Sequence, residues 1–166
     1  LTATMESYKE YEEFDIFLSH SIDDSDLVLG VLILLQKQGL SVYVDWVVDK
    51  QLDRSSVNKE TAAVLRKRME HSRSMMYIAT ENSSNSKWMP WELGFFDGQK
   101  PGRVAILPLL DSENQSFLGQ EYLGLYPVVT KYMKSQVMSF YIEDRGNKWS
   151  TLQNFAHGSP SWKSYQ

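Results

Sequence analysis

The chain has 166 residues, of which 42% are hydrophobic and 13% aromatic, so it is long enough to bury the core of one domain. Its formal net charge of -4 argues against a nucleic-acid backbone or an anionic membrane surface as the main partner, because both require clustered Lys and Arg. It contains no cysteine, which excludes disulfide frameworks and thiolate zinc sites and is typical of a cytoplasmic protein.

The first part of the chain predicts a strand, a helix and a second strand. Residues 1–12 are polar and predict a tail or a short leading helix, without the basic start and apolar stretch of a secretory leader. The apolar run at 14–18 predicts a buried strand that ends in small polar residues. A helix follows over 23–38; its longest apolar run has nine residues, whereas a membrane span needs about 20. Gly39 is a helix-ending signal, and residues 40–44 predict the second strand.

The middle of the chain continues this alternation. Residues 45–56 predict a charged loop with a tryptophan, and long loops in compact domains tend to be functional. A helix is predicted over 58–71 and a strand over 74–79. Residues 80–86 predict a polar loop, and the next helix holds Glu92.

The pattern weakens towards the end. Residues 103–110 predict a fourth strand, 111–124 a loop with one helical turn, and 125–130 a fifth strand. Apolar residues at helical spacing predict a last helix that begins at Ser150, and residues 159–166 predict a frayed tail.

Alternating strands and helices predict one α/β domain over residues 13–158. The expected fold is a flavodoxin-like open parallel sheet of about five strands with helices on both faces. In such folds ligands bind beyond the carboxyl ends of the strands. This rule brings three stretches to one rim of the sheet, and they are Ser19-His20-Ser21, Asp45-Trp46 and Thr80 through Glu92.

Phosphate-loop, dinucleotide-binding and metalloprotease motifs are absent from the sequence. It has no Gly-x-x-x-x-Gly-Lys, no Gly-x-Gly-x-x-Gly after the first strand and no His-Glu-x-x-His, so ordinary NTPases, Rossmann dehydrogenases and zinc proteases are not favoured. The histidines His20, His71 and His157 form no ligand pair, and a surface or cap position explains each of them better than metal binding does. We expect no metal and no bound cofactor.

Trp88 and Glu92 are four residues apart, so on a helix they share a face and the indole can cover one side of the carboxylate. Pro90 fits only the first turn, which places the helix start close by. Trp91 points elsewhere and is expected to serve the core. A simpler interpretation is also open, in which Glu92 is a first-turn acid attracted to the helix dipole and the tryptophans are all core.

Three stretches in order, residues 14–21, residues 41–46 and Trp88-x-x-x-Glu92, resemble the Toll/interleukin receptor (TIR) domain family over residues 13–130. Asp15-Ile16-Phe17-Leu18-Ser19-His20 resembles the first box of that family, and the loop after the second strand corresponds to its BB loop. The Trp-x-x-x-Glu pattern resembles the catalytically active, NAD-consuming members. Stand-alone members of this kind are bacterial and act in antiphage defence, as in Thoeris-type systems, or as virulence factors.

The resemblance implies that NAD+ is the substrate, that Glu92 is the catalytic acidic residue and that Trp88 lines the nicotinamide side of the pocket. The product would be ADP-ribose or a cyclic isomer, sensed by a downstream effector. The remaining substrate-binding residues that it implies are Ser19, His20 and Ser21 on the pocket floor and Asp45 with Trp46 on the BB-loop side.

The resemblance also implies self-association through the loop at residues 46–56, which would complete the active site. The loop charges, including Asp53 and Arg54, are expected to be exposed. Activity would then depend on assembly, whereas folding would be insensitive to these side chains.

Two other functions remain open. A phosphoacceptor receiver domain has a similar sheet, and Asp23 with Asp24 matches its acidic pair, but the third strand runs into Thr80-Glu81 with no aspartate to phosphorylate. A TIR domain can also be an adaptor that binds other TIR domains without NAD+ turnover; the presence of Trp88 and Glu92 argues against that function.

Overall fold

The computed structural model of the chain describes residues 12–109 and 121–165. Residues 1–11 of the predicted N-terminal segment and residues 111–120 of the predicted loop lie outside these ranges. Within the described ranges no helix is both long and apolar enough to cross a membrane.

Eight strands in the described residues form one sheet. They are β1 (Phe14–Ser19), β2 (Val42–Tyr43), β3 (Ser72–Ala79), β4 (Val104–Pro108), β5 (Val128–Lys134), β6 (Val137–Asp144), β7 (Lys148–Thr151) and β8 (Lys163–Ser164). Their spatial order is β2-β1-β3-β4-β5-β6-β7-β8. Neighbouring strands are parallel from β2 to β5 and antiparallel from β5 to β8.

The five strands from β1 to β5 confirm the predicted α/β architecture, because their order 2-1-3-4-5 is that of a flavodoxin-like sheet. The prediction of a parallel sheet of about five strands is wrong for the C-terminal part. There β6, β7 and β8 add three antiparallel strands. The frayed tail predicted over 159–166 is also wrong for residues 163 and 164, which pair with β7.

The turn between β5 and β6 explains why this hairpin is hard to predict. Its two residues, Ser135 and Gln136, have φ angles of 50° and 66°. Two-residue hairpin turns need such left-handed conformations, and their sequences normally contain Gly or Asn-Gly. This turn has neither, so the sequence carries no local signal for it.

The helices are α1 (Ser25–Lys37), α2 (Asp45–Val48), α3 (Lys59–Glu70), α4 (Met89–Gln99) and α5 (Leu152–Ala156). Gly39, with a φ of 81°, follows the end of α1 as predicted. Pro90 lies in the first turn of α4, also as predicted. The loop predicted at 45–56 begins instead as the short α2, and the last helix starts only at Leu152 because Ser150 belongs to β7.

Two buried clusters cover the two faces of the sheet, as successive side chains of β3 illustrate. Met76 and Ile78 pack in the cluster that contains the buried face of α1. Met75 and Tyr77 pack in the cluster that contains α3 and α4. Since side chains alternate between the faces of a strand, the helices lie on both faces as predicted. The second face is the one on which α4 begins.

Candidate active site

Glu92 lies in the first turn of α4 and is completely buried. Ser19, the last residue of β1, donates its hydroxyl to Glu92 Oε1 at 3.0 Å. The two residues are 73 positions apart in the chain, yet both lie at the carboxyl-end rim of the parallel strands. The structure thus confirms that this rim brings the first and third predicted stretches together.

Arg54 connects Glu92 to a second buried carboxylate. Its Nη2 lies 3.4 Å from Glu92 Oε1, and its Nη1 lies 3.2 Å from Asp45 Oδ2. Only 12% of the Arg54 side chain is exposed, against 5% for Asp45. The prediction that Arg54 is an exposed loop charge is therefore wrong. A single arginine in a polar loop carries no sequence signal of burial, because the partners that hold it come from other segments.

His20 and Trp46 extend this network behind Asp45. His20 Nδ1 lies 2.9 Å from the Leu18 carbonyl oxygen, which can only accept, so Nδ1 carries the hydrogen. The Trp46 indole N–H donates to His20 Nε2 at 3.1 Å, so Nε2 accepts. Asp45 Oδ1 lies 3.4 Å from the same Nε2. Both ring nitrogens of His20 are thus engaged inside the protein.

Trp88 immediately precedes α4 and is 3% exposed. Its indole N–H donates to the Arg54 backbone carbonyl at 3.0 Å, which ties the loop to the helix that carries Glu92. Its own carbonyl accepts from the Glu92 backbone N–H at 2.8 Å, as expected for residues four apart on one face. Trp91 is only half-buried and packs edge-on against Trp88, with ring centroids 5.4 Å apart. Trp91 thus packs against the core as expected, but only partly buried, whereas Trp88 is itself a member of the buried core cluster.

Ser21 and Asp24 lie at the same rim but have local roles. The Ser21 hydroxyl oxygen accepts from the Asp23 backbone N–H at 3.3 Å and caps the short 3-10 helix Ile22–Asp24. Its place on the pocket floor stays a prediction. Asp24 is buried and accepts from Thr80 Oγ1 at 2.5 Å and from Asn82 Nδ2 at 2.7 Å. Asp24 thus connects the loops that follow β1 and β3.

The electrostatics of Glu92 are dominated by its burial, which raises the pKa of the carboxyl above its ordinary value. Three interactions lower this pKa and partly offset the effect of burial: the charge of Arg54, the charge of His20 when that ring is protonated, and the Ser19 hydrogen bond. The charge of Asp45 raises the pKa further. Glu92 Oε2 is buried and has no hydrogen-bond partner among the described residues. Such an unpaired buried acceptor is unusual, and it suits a ligand hydroxyl.

The described residues bring together no group of three or more His, Asp or Glu side chains that could hold a metal ion. What they bring together instead is two buried carboxylates, a hydroxyl donor, a guanidinium and two indoles at one rim. This combination can orient a polar ligand and stabilise positive charge on it.

Residues 16–129 match the family model described as TIR domain, which is more than half of the chain. The chain belongs to the TIR domain family. The TIR match includes every side chain of the site described above, whereas strands β6 to β8 follow it.

Two curated relatives of this TIR domain carry enzyme names. The chain is 55% identical over 130 residues to the probable 3' cyclic ADP-D-ribose synthase ThsB' of Bacillus cereus (strain MSX-D12), covering 76% of this chain and 67% of that protein. It is 36% identical over 83 residues to the putative cyclic ADP-D-ribose synthase TIR2 of Cytobacillus dafuensis, covering 49% of this chain and 22% of that protein. The chain therefore spans only a small part of the second relative.

Among solved structures, the TIR domain is similar to a metazoan TIR-STING receptor from C. gigas. The TM-score is 0.46 at 13% sequence identity, and the match covers 65% of this chain and 34% of that one.

Proposed function

We propose that this TIR domain cleaves the bond between nicotinamide and ribose in NAD+, with Glu92 as the catalytic residue. The observation that carries the proposal is the buried Glu92 carboxylate, which has one oxygen held by Ser19 and the other without a partner in the described residues. The names of the two curated relatives support a cyclic ADP-ribose as the product. ADP-ribose is the other product that the same chemistry allows.

One carboxylate is sufficient for this reaction. An ordinary glycosidase needs a second carboxylic acid because an alkoxide must be protonated as it leaves. Nicotinamide leaves NAD+ as a neutral molecule from a cationic pyridinium, so no proton donor is required. The remaining task is to orient the ribose and stabilise its oxocarbenium-like transition state, which an ionised carboxylate can do.

The neighbouring residues have distinct roles in this proposal. The Ser19 hydroxyl holds Glu92 Oε1, which leaves Oε2 to accept a hydrogen bond from a ribose hydroxyl. Trp88 forms the wall on the nicotinamide side. On the side of α2, Trp46 is hydrogen-bonded to His20, and Asp45 Oδ1 lies 3.4 Å from the same His20 nitrogen. Attack by water gives ADP-ribose, and attack by a group of the same molecule gives the cyclic isomer.

The cellular setting belongs to the same proposal. We place the protein in the cytoplasm, where NAD+ is available, and assign it to antiphage defence of the Thoeris type. A downstream effector would sense the product. The alternative of an adaptor without turnover predicts that NAD+ is left intact.

Incubation of the purified protein with NAD+ tests the proposal directly. Chromatography and mass spectrometry should detect free nicotinamide together with a cyclic ADP-ribose or ADP-ribose, which differ in mass by one water. Intact NAD+ at every protein concentration, with a folded protein by circular dichroism, would leave the adaptor function as the better explanation.

Substitutions of Trp88 and Trp91 should have different effects on stability and on kcat/KM. Trp88→Phe keeps most of the buried ring but leaves the Arg54 carbonyl without its donor, so we expect a loss of about 1–3 kcal/mol of stability together with lower kcat/KM. Trp91→Phe removes no hydrogen bond of the described residues and should have little effect on either quantity. Thermal melts and NAD+ assays of both variants measure this. A Trp91→Phe enzyme that is stable but inactive, beside an active Trp88→Phe enzyme, would contradict the assignment.

We further propose that the loop at 46–56 mediates self-association that completes the site, so specific activity should rise with protein concentration. A neighbouring molecule would exclude water from the pocket and strengthen the field of Glu92. We expect the increase at protein concentrations on the order of nanomolar to tens of micromolar, the range of ordinary interface affinities. Constant specific activity over this range, with a monomer by light scattering in the presence of NAD+, would overturn it.

Asp53 offers a matched pair of variants for this assembly. Its side chain is exposed and accepts from the Ser55 backbone N–H at 2.8 Å. Asp53→Lys reverses the charge and should lower activity with little change in melting temperature, since exposed loop residues contribute little to folding. Asp53→Asn keeps the turn, and its activity should lie between those of Asp53→Lys and the wild type. Glu70→Lys reverses an exposed charge at the end of α3 and serves as the control.

A further inference from the structure

A ligand that binds Glu92 has to accommodate or displace the guanidinium of Arg54. This guanidinium lies 3.4 Å from Glu92 Oε1 and 3.2 Å from Asp45 Oδ2. Both carboxylates are almost completely inaccessible to solvent. Arg54 is the cation that contacts both of them in the described part of the chain.

Removing this cation without a replacement is unfavourable. Two buried carboxylates would face each other across the site without a counter-charge, and an unpaired buried charge is strongly destabilising. A neutral ligand that pushed the guanidinium aside would leave this imbalance in place. A ligand that carries its own positive charge would restore the balance.

The backbone around Arg54 is held by hydrogen bonds that do not involve its side chain. Trp88 donates to the Arg54 carbonyl at 3.0 Å, and Thr61 Oγ1 donates to the Asp53 carbonyl at 2.7 Å. These two bonds attach the segment to α4 and α3. The Arg54 side chain has several rotatable bonds beyond these anchors, so it can swing away while the loop backbone stays in place.

We propose that Arg54 is a specificity-determining residue that holds the place of the substrate's cationic ring, so that the pyridinium of an oxidised nicotinamide dinucleotide enters by exchange with the guanidinium. This inference rests on the proposed function, because it concerns the same site. It assigns the ligand class by charge: NAD+ binds, whereas NADH, which has nearly the same shape and a neutral dihydropyridine ring, binds much more weakly.

The same exchange has a consequence for the pH dependence. The charged and titratable groups that face Glu92 are His20 after β1, Asp45 in α2, Arg54 in the loop and Tyr77 in β3. Burial already raises the pKa of Glu92, and Arg54 opposes this. Without Arg54 the free enzyme would hold the proton on Glu92 to a still higher pH. In the complex, the bound pyridinium supplies the missing positive charge.

Kinetics of Arg54→Gln test this, because kcat/KM reports the free enzyme and kcat reports the complex. The acid limb of the kcat/KM profile should move up by about one to three pH units, as expected for loss of a nearby opposite charge. The acid limb of kcat should stay in place. Arg54→Lys should restore the wild-type profile, and Arg66→Gln, an exposed arginine over Trp91, should leave both limbs unchanged. A shift of both limbs, or of neither, would overturn the exchange.

Binding of NAD+ and NADH, followed by stopped-flow tryptophan fluorescence before turnover, tests the same inference. The wild type should bind NAD+ at least about tenfold more tightly than NADH, and Glu92→Gln should reduce this preference to within about threefold. Equal affinity of the wild type for the two forms would refute the inference, as would failure to bind NAD+. Preferential binding of NAD+ without any cleavage would refute the proposed function alone.

Discussion

Glu92→Gln is expected to reduce NAD+ cleavage by about a hundredfold to a thousandfold or more, the usual effect of removing an electrostatic contact to the transition state. The substitution preserves the shape of the side chain and removes its charge. The Ser19 hydroxyl can still donate to the amide oxygen, and Arg54 keeps its contact with Asp45. Nicotinamide release by purified enzyme, followed over a range of NAD+ concentrations, measures the loss.

The same variant should be at least as stable as the wild type at neutral pH. Because the pKa of Glu92 is raised in the folded protein, the folded state binds this proton more tightly than the unfolded state does. As the pH rises from the ordinary pKa of Glu92 through its raised pKa in the folded protein, Glu92 therefore contributes less and less to stability. Glu92→Gln has no such loss, because its side chain does not titrate. Glu70→Gln, at an exposed position, is the control and should retain full activity. Turnover by Glu92→Gln within a fewfold of the wild type would eliminate Glu92 as the catalytic residue.

Arg54→Glu is expected to destabilise the fold by about 3–5 kcal/mol and to abolish activity. The change replaces the bridging cation by a third carboxylate next to Glu92 and Asp45, and the site is too buried for water to screen their repulsion. Denaturant unfolding monitored by tryptophan fluorescence measures the loss of free energy. The loss should be smaller at low pH, because burial raises the pKa of Glu92 and protonation removes its charge.

Arg66→Glu provides the matched control for this reversal. Arg66 is exposed and its guanidinium lies over the Trp91 ring at 5.3 Å, so reversing its charge should change stability by about 0.5–1 kcal/mol. If Arg54→Glu were as stable as Arg66→Glu, the guanidinium of Arg54 could not be buried between the two carboxylates. The exchange with the substrate ring would then lose its structural basis.

The parallel half of the sheet could be predicted because its signals are local. The strand at residues 14–18 is a compact apolar run, α1 is ended by Gly39, and Pro90 restricts the start of α4. Parallel strands have their carboxyl ends on one side, so the order of elements is enough to bring Ser19, Asp45 and Glu92 to one rim. The spacing of four residues then predicts that Trp88, which immediately precedes α4, lies on the same side as Glu92.

The antiparallel half could not be predicted in the same way. Strands β5 and β6 are largely exposed or half-buried, so they lack the continuous apolar runs that mark β1 and β3. Their turn uses Ser135 and Gln136 with positive φ, where a glycine would have given the signal. Trp149 fits a helical spacing in the sequence but lies in β7, because pairing with β6 overrides the local pattern.

Arg54 shows most clearly where local sequence stops being informative. The sequence by itself predicted the rim from its apolar runs and the order of its elements, and its resemblance to the TIR domain family pointed to the family and to Glu92. Only the tertiary structure decided that Arg54 is buried, because its partners Asp45, Trp88 and Glu92 lie on two other elements, and Glu92 is 38 residues away. Burial of a charge depends on what surrounds it in space, and that surrounding forms only when β1, α2 and α4 meet at the edge of the sheet.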